Sequence, residues 1–428
     1  MLKKKNILFI ESGTSGGGSF ESLLLHVKSL NQKIFYPIIL CFNQTKYIDL
    51  WEELGIEVIQ IYDHLYTQKN QSILSVIYKR LYGVLWRVSS RLFIFFVKHL
   101  AQRSTITRIS RIVEENDIDL IYLNDQIMRD LFGVFVVERT QVKCISHLRS
   151  LRSKGFGGRI ADYVNPRVDL FIANSRKCRQ HWCDLGLSQK KTVVIYNAIN
   201  GLTQQSDSNW NIRGRFDIAE RFTHILGCVA NFDKVKGHSF LLKSFARLYE
   251  QHKNYSLLLV GDGPLLQQSK ALALEYGLSG AIRFAGYLNP VKDIIVELDL
   301  LIVPSQSEAF GRTIIESMQV KTPVVATKVG GIPELITHEV NGLLVAYGDE
   351  EGLVQAILRL TGDAELKERI VEEAYRSGKE RFSIERYARE MDTVYTSLFA
   401  EEPYLRTKAK RDIQEYASQF FHKNVWSS

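Results

Sequence analysis

Residues 300–318 read LLIVPSQSEAFGRTIIESM, and the order of their parts decides the fold. Leu300 to Val303 form a short apolar run of strand length. A polar loop containing glycine follows, and the segment then enters a helix. The same alternation of short β-branched runs with longer helical patterns recurs along the whole chain. It is the signature of an α/β protein whose parallel sheets carry helices on both faces. In the first half the composition predicts strands at Asn6–Ile10, Pro37–Phe42, Glu57–Ile61, Leu120–Leu123, Lys143–Ser146, Leu170–Ala173 and Thr192–Tyr196. A helix is predicted over Phe20–Leu30. In the second half strands are predicted at Thr223–Val229, Ser256–Val260, Ile282–Ala285, Leu300–Val303, Val324–Ala326 and Gly342–Val345.

At 428 residues the chain exceeds what one core usually covers, so two domains are expected. The polar stretch Asn197–Arg215 (NAINGLTQQSDSNWNIRGR) reads as the linker between two doubly wound domains. The expected division is 1–197, 198–382 and a closing segment 383–428. Ligands of open α/β sheets bind beyond the carboxyl ends of the strands. Two such domains facing across a cleft would therefore put the site between them.

The net charge of +8 is unevenly placed: residues 1–200 hold 28 Lys and Arg against 17 Asp and Glu, the remainder 27 against 30. A basic half suits nucleic acid, anionic lipid or a phosphorylated substrate. No zinc-finger spacing, aromatic RNP motif or long basic tract is present, which argues against nucleic acid. The five cysteines form no CxxC pair and read as small buried residues of a reducing compartment. The basic start at Lys3–Lys5 is followed by only Ile7 to Ile10 before Glu11, too short for a signal peptide. No apolar run approaches the ~20 residues of a membrane span. The expectation is a cytoplasmic protein able to rest peripherally on the inner face of the cell membrane.

Within the opening stretch, Glu308 lies in the loop and Glu316 in the helix, eight residues apart. Gly311 allows backbone to approach a ligand, and the amides of Phe310 to Thr313 sit at a helix N-terminus. Such amides, with the positive end of the helix dipole, suit a diphosphate. A carboxylate accepts two hydrogen bonds at once, matching adjacent sugar hydroxyls. Taken alone, the pair equally suits an exposed helix start. Four neighbouring patterns add weight. Val229–Leu248 is strand, polar loop and helix, with Lys236-Gly237 at the turn, where a lysine neutralises a phosphate. Leu257–Leu266 (LLLVGDGPLL) resembles part of a dinucleotide fingerprint but lacks its third glycine and its acidic residue, so an NAD site is not expected. Arg283 to Tyr287 follows, and then Val329-Gly330-Gly331, whose Gly-Gly pair makes another tight loop.

In this order and spacing the motifs resemble glycosyltransferase family 4, the retaining transferases of GT-B fold, across most of residues 6–400 and most strongly over 226–347. The resemblance implies two Rossmann-like domains and a nucleotide-diphosphate sugar held mainly by the second. It implies that Glu316 holds the ribose hydroxyls, Glu308 the hydroxyls of the transferred sugar, and Lys236 the diphosphate. Phe310, Gly311, Arg312 and Thr313 would line sugar and phosphate, with Arg283, Gly286 and Tyr287 beside the base. The family commonly has an arginine where this chain has Asn231. Either Lys234 or Arg312 takes over, or charge holds the diphosphate less tightly.

In the first half the loop Gly13–Ser19, including Gly17 and Gly18, can present backbone amides to phosphate or sugar. The resemblance places it beside donor phosphates and acceptor. His147 comes off the strand Lys143–Ser146; the resemblance puts it near the reacting end of the sugar, for positioning or for proton transfer. The basic stretch of Arg149, Arg152, Lys154 and Arg159 suits either an anionic acceptor or a solvated loop. Ser72–Arg111 carries an apolar stripe from Ile73 to Phe95 flanked by Lys79, Arg80, Arg87, Arg91 and Lys98. It suits an anionic membrane surface, or a helix covering the sheet. Asp117-Ile118-Asp119 imitates a metal-binding motif but precedes a strand, so it reads as a turn, and no metal or other cofactor is expected.

The expected reaction is retaining transfer of a sugar to a hydroxyl of a glycan or lipid-linked acceptor, in bacterial cell-surface polysaccharide or lipopolysaccharide synthesis. A UDP-sugar is favoured as donor, with GDP-mannose as the other option. The alternatives are a nucleotide-sugar epimerase on the same scaffold and an inactive GT-B binding subunit.

Overall fold

The computed structural model describes residues 3–13, 17–61, 89–199 and 210–400. It divides into two compact units, Met1–Ala198 with Ile384–Ser428, and Ile199–Ser383. The first is built on strands β1 (Lys5–Glu11), β2 (Phe35–Cys41), β3 (Glu57–Gln60), β4 (Ile118–Leu123), β5 (Lys143–Leu148), β6 (Leu170–Ala173) and β7 (Thr192–Val194). They form one parallel sheet in the order β3-β2-β1-β4-β5-β6-β7. The second holds β8 (His224–Val229), β9 (Tyr255–Val260), β10 (Ile282–Gly286), β11 (Leu300–Val303), β12 (Val324–Thr327) and β13 (Leu343–Val345). Their order is β10-β9-β8-β11-β12-β13, again all parallel. Each strand expected from the sequence is present, with ends shifted by at most two residues.

Both faces of the first sheet are covered, so its strands are apolar at nearly every position. In β1, Ile7 and Phe9 join a core with Phe20, Leu23 and Trp51, while Leu8 and Ile10 join the opposite core with Phe132 and Phe135. Burying each such side chain contributes about 1.5–3 kcal/mol. The helix Ile384–Phe399 packs into the first of these cores. Tyr387, Met391, Val394, Tyr395 and Leu398 recur at helical spacing and lie among Phe20, Leu23 and Val27. The five cysteines are free thiols, four of them buried.

In each sheet the strand order reverses at one pair, β1/β4 in the first and β8/β11 in the second. At such a pair the following loops leave in opposite directions and open a crevice at the carboxyl ends. The Asp117–Asp119 segment lies at the other end. Asp117 turns into β4 with φ 45°, and Asp119 accepts from the Asn6 amide and pairs with Lys5.

Of the basic amphipathic stretch, Lys79, Arg80 and Arg87 lie outside the described residues. Arg91 is exposed on the helix Ser90–Phe96, where Phe93 faces the core while Leu92 and Phe95 are more than half exposed. Among the described residues no helix is long and apolar enough to cross a membrane.

Candidate functional site

The carboxyl ends of β8 and β11 bring together residues 72 positions apart in the sequence. Lys236 Nζ donates to Glu308 Oε2 at 2.6 Å, and Ser305 Oγ reaches the same oxygen at 3.4 Å. The amides of Gln306 and Ser307 donate to the Val235 carbonyl, tying the two loops to each other. Close backbone packing makes this possible and explains two of the glycines. Gly237 (φ 72°) lies against the Pro304 carbonyl, and Gly330 (φ 56°) against the carbonyl of Glu308, where no Cβ fits. The Gly331 amide then donates to that Glu308 carbonyl at 2.9 Å. The loops after β8, β11 and β12 thus form one hydrogen-bonded cradle. Lys236 and Glu308 are mostly covered, with side chains 28% and 14% exposed.

Glu316 sits one turn into the helix Arg312–Gln319, and its Oε1 accepts from Arg312 Nη2 at 2.9 Å. That helix opens on Gly311 (φ 106°) with no side-chain cap. The helices after β8 and β1 likewise open on glycines, Gly237 and Gly17, without a side-chain cap. Elsewhere some helices are capped, by Ser175, Asp349 and Asp363, while Gly158–Val164 and Leu266–Glu275 also lack a side-chain cap. Three of the four helices leaving the two switch points thus open on glycine with no capping side chain, which suits an anion at their first amides; the fourth, Leu131–Thr140 after β4, starts at Asp130. Phe310 is buried against Phe382, so it offers backbone rather than ring to a ligand; Thr313 is half-buried. Asn231 is exposed at the head of the loop after β8. Just beyond Gly237, His238 stacks on Phe232 with ring centroids 4.1 Å apart. Burial, and then the nearby Lys236, push its pKa down to about 4, so it is neutral.

Arg283 differs from expectation. Its guanidinium donates to the carbonyls of Phe216, Asp217, Ile282 and Gly280, so it braces the chain before β8 instead of facing a ligand. Gly286 (φ 71°) accepts from the Gly261 amide and turns the chain so that Tyr287 emerges 45% exposed.

The first unit holds a buried polar network at the carboxyl ends of β1, β4 and β5. Glu11 is fully buried, accepting from the Gly13 amide at 2.9 Å and from Asn124 Nδ2 at 2.5 Å. Burial, then the neighbouring Asp125, push its pKa up to about 7. Ser12 Oγ donates to Asp130, which also accepts from the Asp125 amide; burial holds Asp130 well above the usual carboxylate range. Arg149 was expected to face either an anionic acceptor or solvent. It instead turns inward, donating to the Asn124 carbonyl and Oδ1 and to Asn197 Oδ1. Arg152 and Lys154 remain exposed, as does Gly18, whereas Gly17 is half-buried. Thr14 to Gly16 of the glycine loop lie outside the described residues.

His147 is also not where the sequence suggested. β5 continues to Leu148, so His147 lies within the strand, fully buried on the face of Tyr122. Its Nδ1 meets the Tyr122 hydroxyl at 2.6 Å, and burial lowers its pKa well below the ordinary range. It is a neutral imidazole and no cationic acid. Glu11, Asn124, Asp130 and Tyr122 were missed in the sequence. For Glu11 and Asn124 the available signal was a polar residue ending or directly following an apolar strand.

Known proteins match both units. Residues 211–377 fit the model for glycosyl transferases group 1, and residues 51–200 fit that for Glycosyltransferase Family 4. The N-acetyl-alpha-D-glucosaminyl L-malate synthase of Bacillus anthracis is 25% identical over 307 residues, covering 69% of this chain and 79% of that one. The lipopolysaccharide core biosynthesis glycosyltransferase LpsE of Rhizobium meliloti is 31% identical over 236 residues, covering 55% of this chain and 65% of that one. The match thus spans just under two thirds of LpsE. The solved structure of Anabaena Alr3699/HepE in complex with UDP and glucose superposes with a TM-score of 0.74 at 21% identity, covering 92% of this chain and all of that one. With two Rossmann-like parallel sheets and family models matching in both units, the chain belongs to glycosyltransferase family 4 and is a GT-B glycosyltransferase.

Proposed function

We propose that the chain moves a sugar from a nucleotide diphosphate sugar to a hydroxyl of a glycan or lipid-linked acceptor, with retention, in bacterial surface polysaccharide or lipopolysaccharide synthesis. The observation that carries this is the Lys236–Glu308 pair, held at 2.6 Å in the switch-point crevice of the second unit. Before a donor arrives each group is the other's counter-ion, which makes two covered charges tolerable. With a donor bound, Lys236 meets the diphosphate and Glu308 takes hydroxyls of the sugar. Glu316 holds the ribose, and the glycine-capped helix at Arg312 faces the phosphates. A UDP-sugar is favoured: the Anabaena protein of the same fold binds UDP and glucose. GDP-mannose remains the second option, and a mannosyltransferase of lipopolysaccharide core synthesis is among the relatives.

In front-face displacement the bond between the anomeric carbon and the diphosphate oxygen breaks first. The acceptor oxygen then bonds the same face, and its proton passes to the departing diphosphate. Positive charge develops on the sugar and negative charge on the leaving group; Glu308 suits the former, Lys236 and the helix N-terminus the latter. No metal or other cofactor is assigned a part. Acceptor choice falls to the first unit, through its glycine loop and the exposed Arg152 and Lys154. Arg91 beside exposed Leu92 and Phe95 supports a resting place on an anionic membrane, on its cytoplasmic side. The test is release of nucleoside diphosphate from a panel of UDP-, GDP- and ADP-sugars. Release that depends on Lys236 and Glu308 is expected; isomerisation of the donor, or no binding at all, would overturn the proposal.

A further inference from the structure

The crevice of the second unit holds a second charge pair, and its direction runs against helix stability. Arg312 is the first residue of the helix Arg312–Gln319, and its Nη2 donates to Glu316 Oε1 at 2.9 Å. A cation at a helix N-terminus meets the positive end of the dipole, which disfavours it. No acidic residue stands in the first turn to offset this. At i,i+4 spacing an acid ahead of a base is the better order, and here the base comes first. The helix alone therefore gives no reason for an arginine at this position, whereas an anion held at the helix end does. Residues four apart lie on one helix face, roughly 6 Å from each other along the axis. With a ribose on Glu316, the next part of a nucleotide, its phosphates, falls at Arg312 and at the uncapped amides beside it.

We propose that the Arg312 side chain is the second cation of the donor site. It takes a diphosphate oxygen while keeping its bond to Glu316, so that the pair recognises ribose and phosphate as one unit. The proposal rests on the reading that Glu316 holds the ribose of a nucleotide diphosphate sugar.

Charge and geometry favour Arg312 over the other candidates. Each phosphate of such a donor carries a negative charge, and Lys236 answers one of them. The loop after β8 adds only the neutral Asn231 and Lys234, both exposed. An exposed lysine is strongly hydrated and loses rotamer freedom when it binds. Arg312 and Glu316 are 15% and 16% exposed, so both are already largely out of water and hold each other in place. A guanidinium presents five N–H donors in one plane, which lets it meet a carboxylate and a phosphate together. A lysine ammonium lacks that fork.

The experiment measures binding of UDP and uridine, with GDP and guanosine alongside, by ligand-observed NMR titration of the full chain. Wild type, Arg312→Ala, Lys234→Ala and Lys236→Ala are compared, each checked for folding by thermal denaturation. Arg312→Ala should weaken the diphosphate about ten- to a hundredfold, the effect of losing a hydrogen bond between charged groups. The affinity of the nucleoside should stay as it was, since Glu316 keeps its place and its carboxylate. Lys234→Ala should change neither. Equal losses for diphosphate and nucleoside in Arg312→Ala would show that Arg312 only shapes Glu316, and an unchanged diphosphate would show that it touches no phosphate; either result overturns the proposal. If Lys236→Ala loses the diphosphate while Arg312→Ala does not, the donor site stands and only the role of Arg312 falls. A wild-type protein that binds neither UDP nor GDP would instead remove the donor site on which the proposal rests.

Discussion

Gly330→Ala is the sharpest probe of the cradle, because the added methyl group acts on Glu308 through its backbone alone. At this position the Cβ would stand 2.9 Å from the Glu308 carbonyl carbon and 3.1 Å from its nitrogen, with the carbonyl oxygen nearer still. Relief needs the Glu308 backbone to move by roughly 1 Å. The φ of 56° adds about 1–2 kcal/mol for a residue with a side chain. The hydrogen bond from the Gly331 amide to Glu308 is strained or lost, at about 1 kcal/mol. The expected destabilisation is therefore about 2–3 kcal/mol, most of it within the second unit. The effect on turnover is larger than stability alone explains, since a misplacement of about 1 Å costs on the order of 100-fold. Gly348→Ala is the control: its φ is 90° but nothing lies within 4 Å of the added Cβ, so only the backbone cost applies. The assay is nucleoside diphosphate release from the donor, with thermal denaturation alongside. Equal activity and stability in the two variants would refute the claim that Gly330 holds Glu308 in place.

Three further outcomes are expected. Glu308→Gln keeps the shape of the side chain but leaves Lys236 without its counter-charge and the sugar without a full carboxylate. Transfer should fall at least about 100-fold, or about 2.7 kcal/mol in the barrier, and the melting temperature should drop as well because Lys236 loses its counter-charge. Arg283→Ala strips donors from four carbonyls and should cost about 2–3 kcal/mol of stability while leaving the preference among UDP- and GDP-sugars as it was. A switched preference in a fully stable protein would contradict the bracing role. Glu11→Gln should alter how stability depends on pH. The folded pKa of about 7 lies above the ordinary 4.5, so the native state binds the extra proton between those values. The contribution of Glu11 is then fully present below 4.5 and lost as pH rises through 7. His26, held at about 3, works in the opposite sense below 6.5, so the comparison must be variant against wild type. Glu11→Gln should gain stability relative to wild type as pH rises from 4.5 to 7. A difference independent of pH, measured by denaturant unfolding, would count against a protonated Glu11.

Much of this could be read in the sequence because parallel sheets buried on both faces leave nearly continuous apolar runs. Leu300–Val303 and Leu170–Ala173 were placed to the residue for that reason. The loops after β8, β11 and β12 were legible too, since Gly237 and Gly330 mark where backbones approach closely and Gly311 a left-handed turn. What stayed hidden are contacts between distant residues. Nothing near Glu11 announces Asn124, 113 positions on, and nothing near His26 announces Tyr395, 369 positions on. Arg149 was read as facing either an anionic acceptor or solvent, and the family resemblance put Arg283 beside the base. Their guanidiniums are instead taken up by carbonyls and amide oxygens of their own units. His147 was misplaced by a strand end: two further residues of β5 set its side chain into the core beside Tyr122.

The most direct measurement of the central claim is donor turnover by wild type, Lys236→Ala and Glu308→Gln against a panel of nucleotide sugars. Wild type should release nucleoside diphosphate from one class of donor, UDP-sugars first, and both variants should lose that release while still unfolding cooperatively as folded proteins. Full turnover in either folded variant would show that the Lys236–Glu308 pair does not hold the donor.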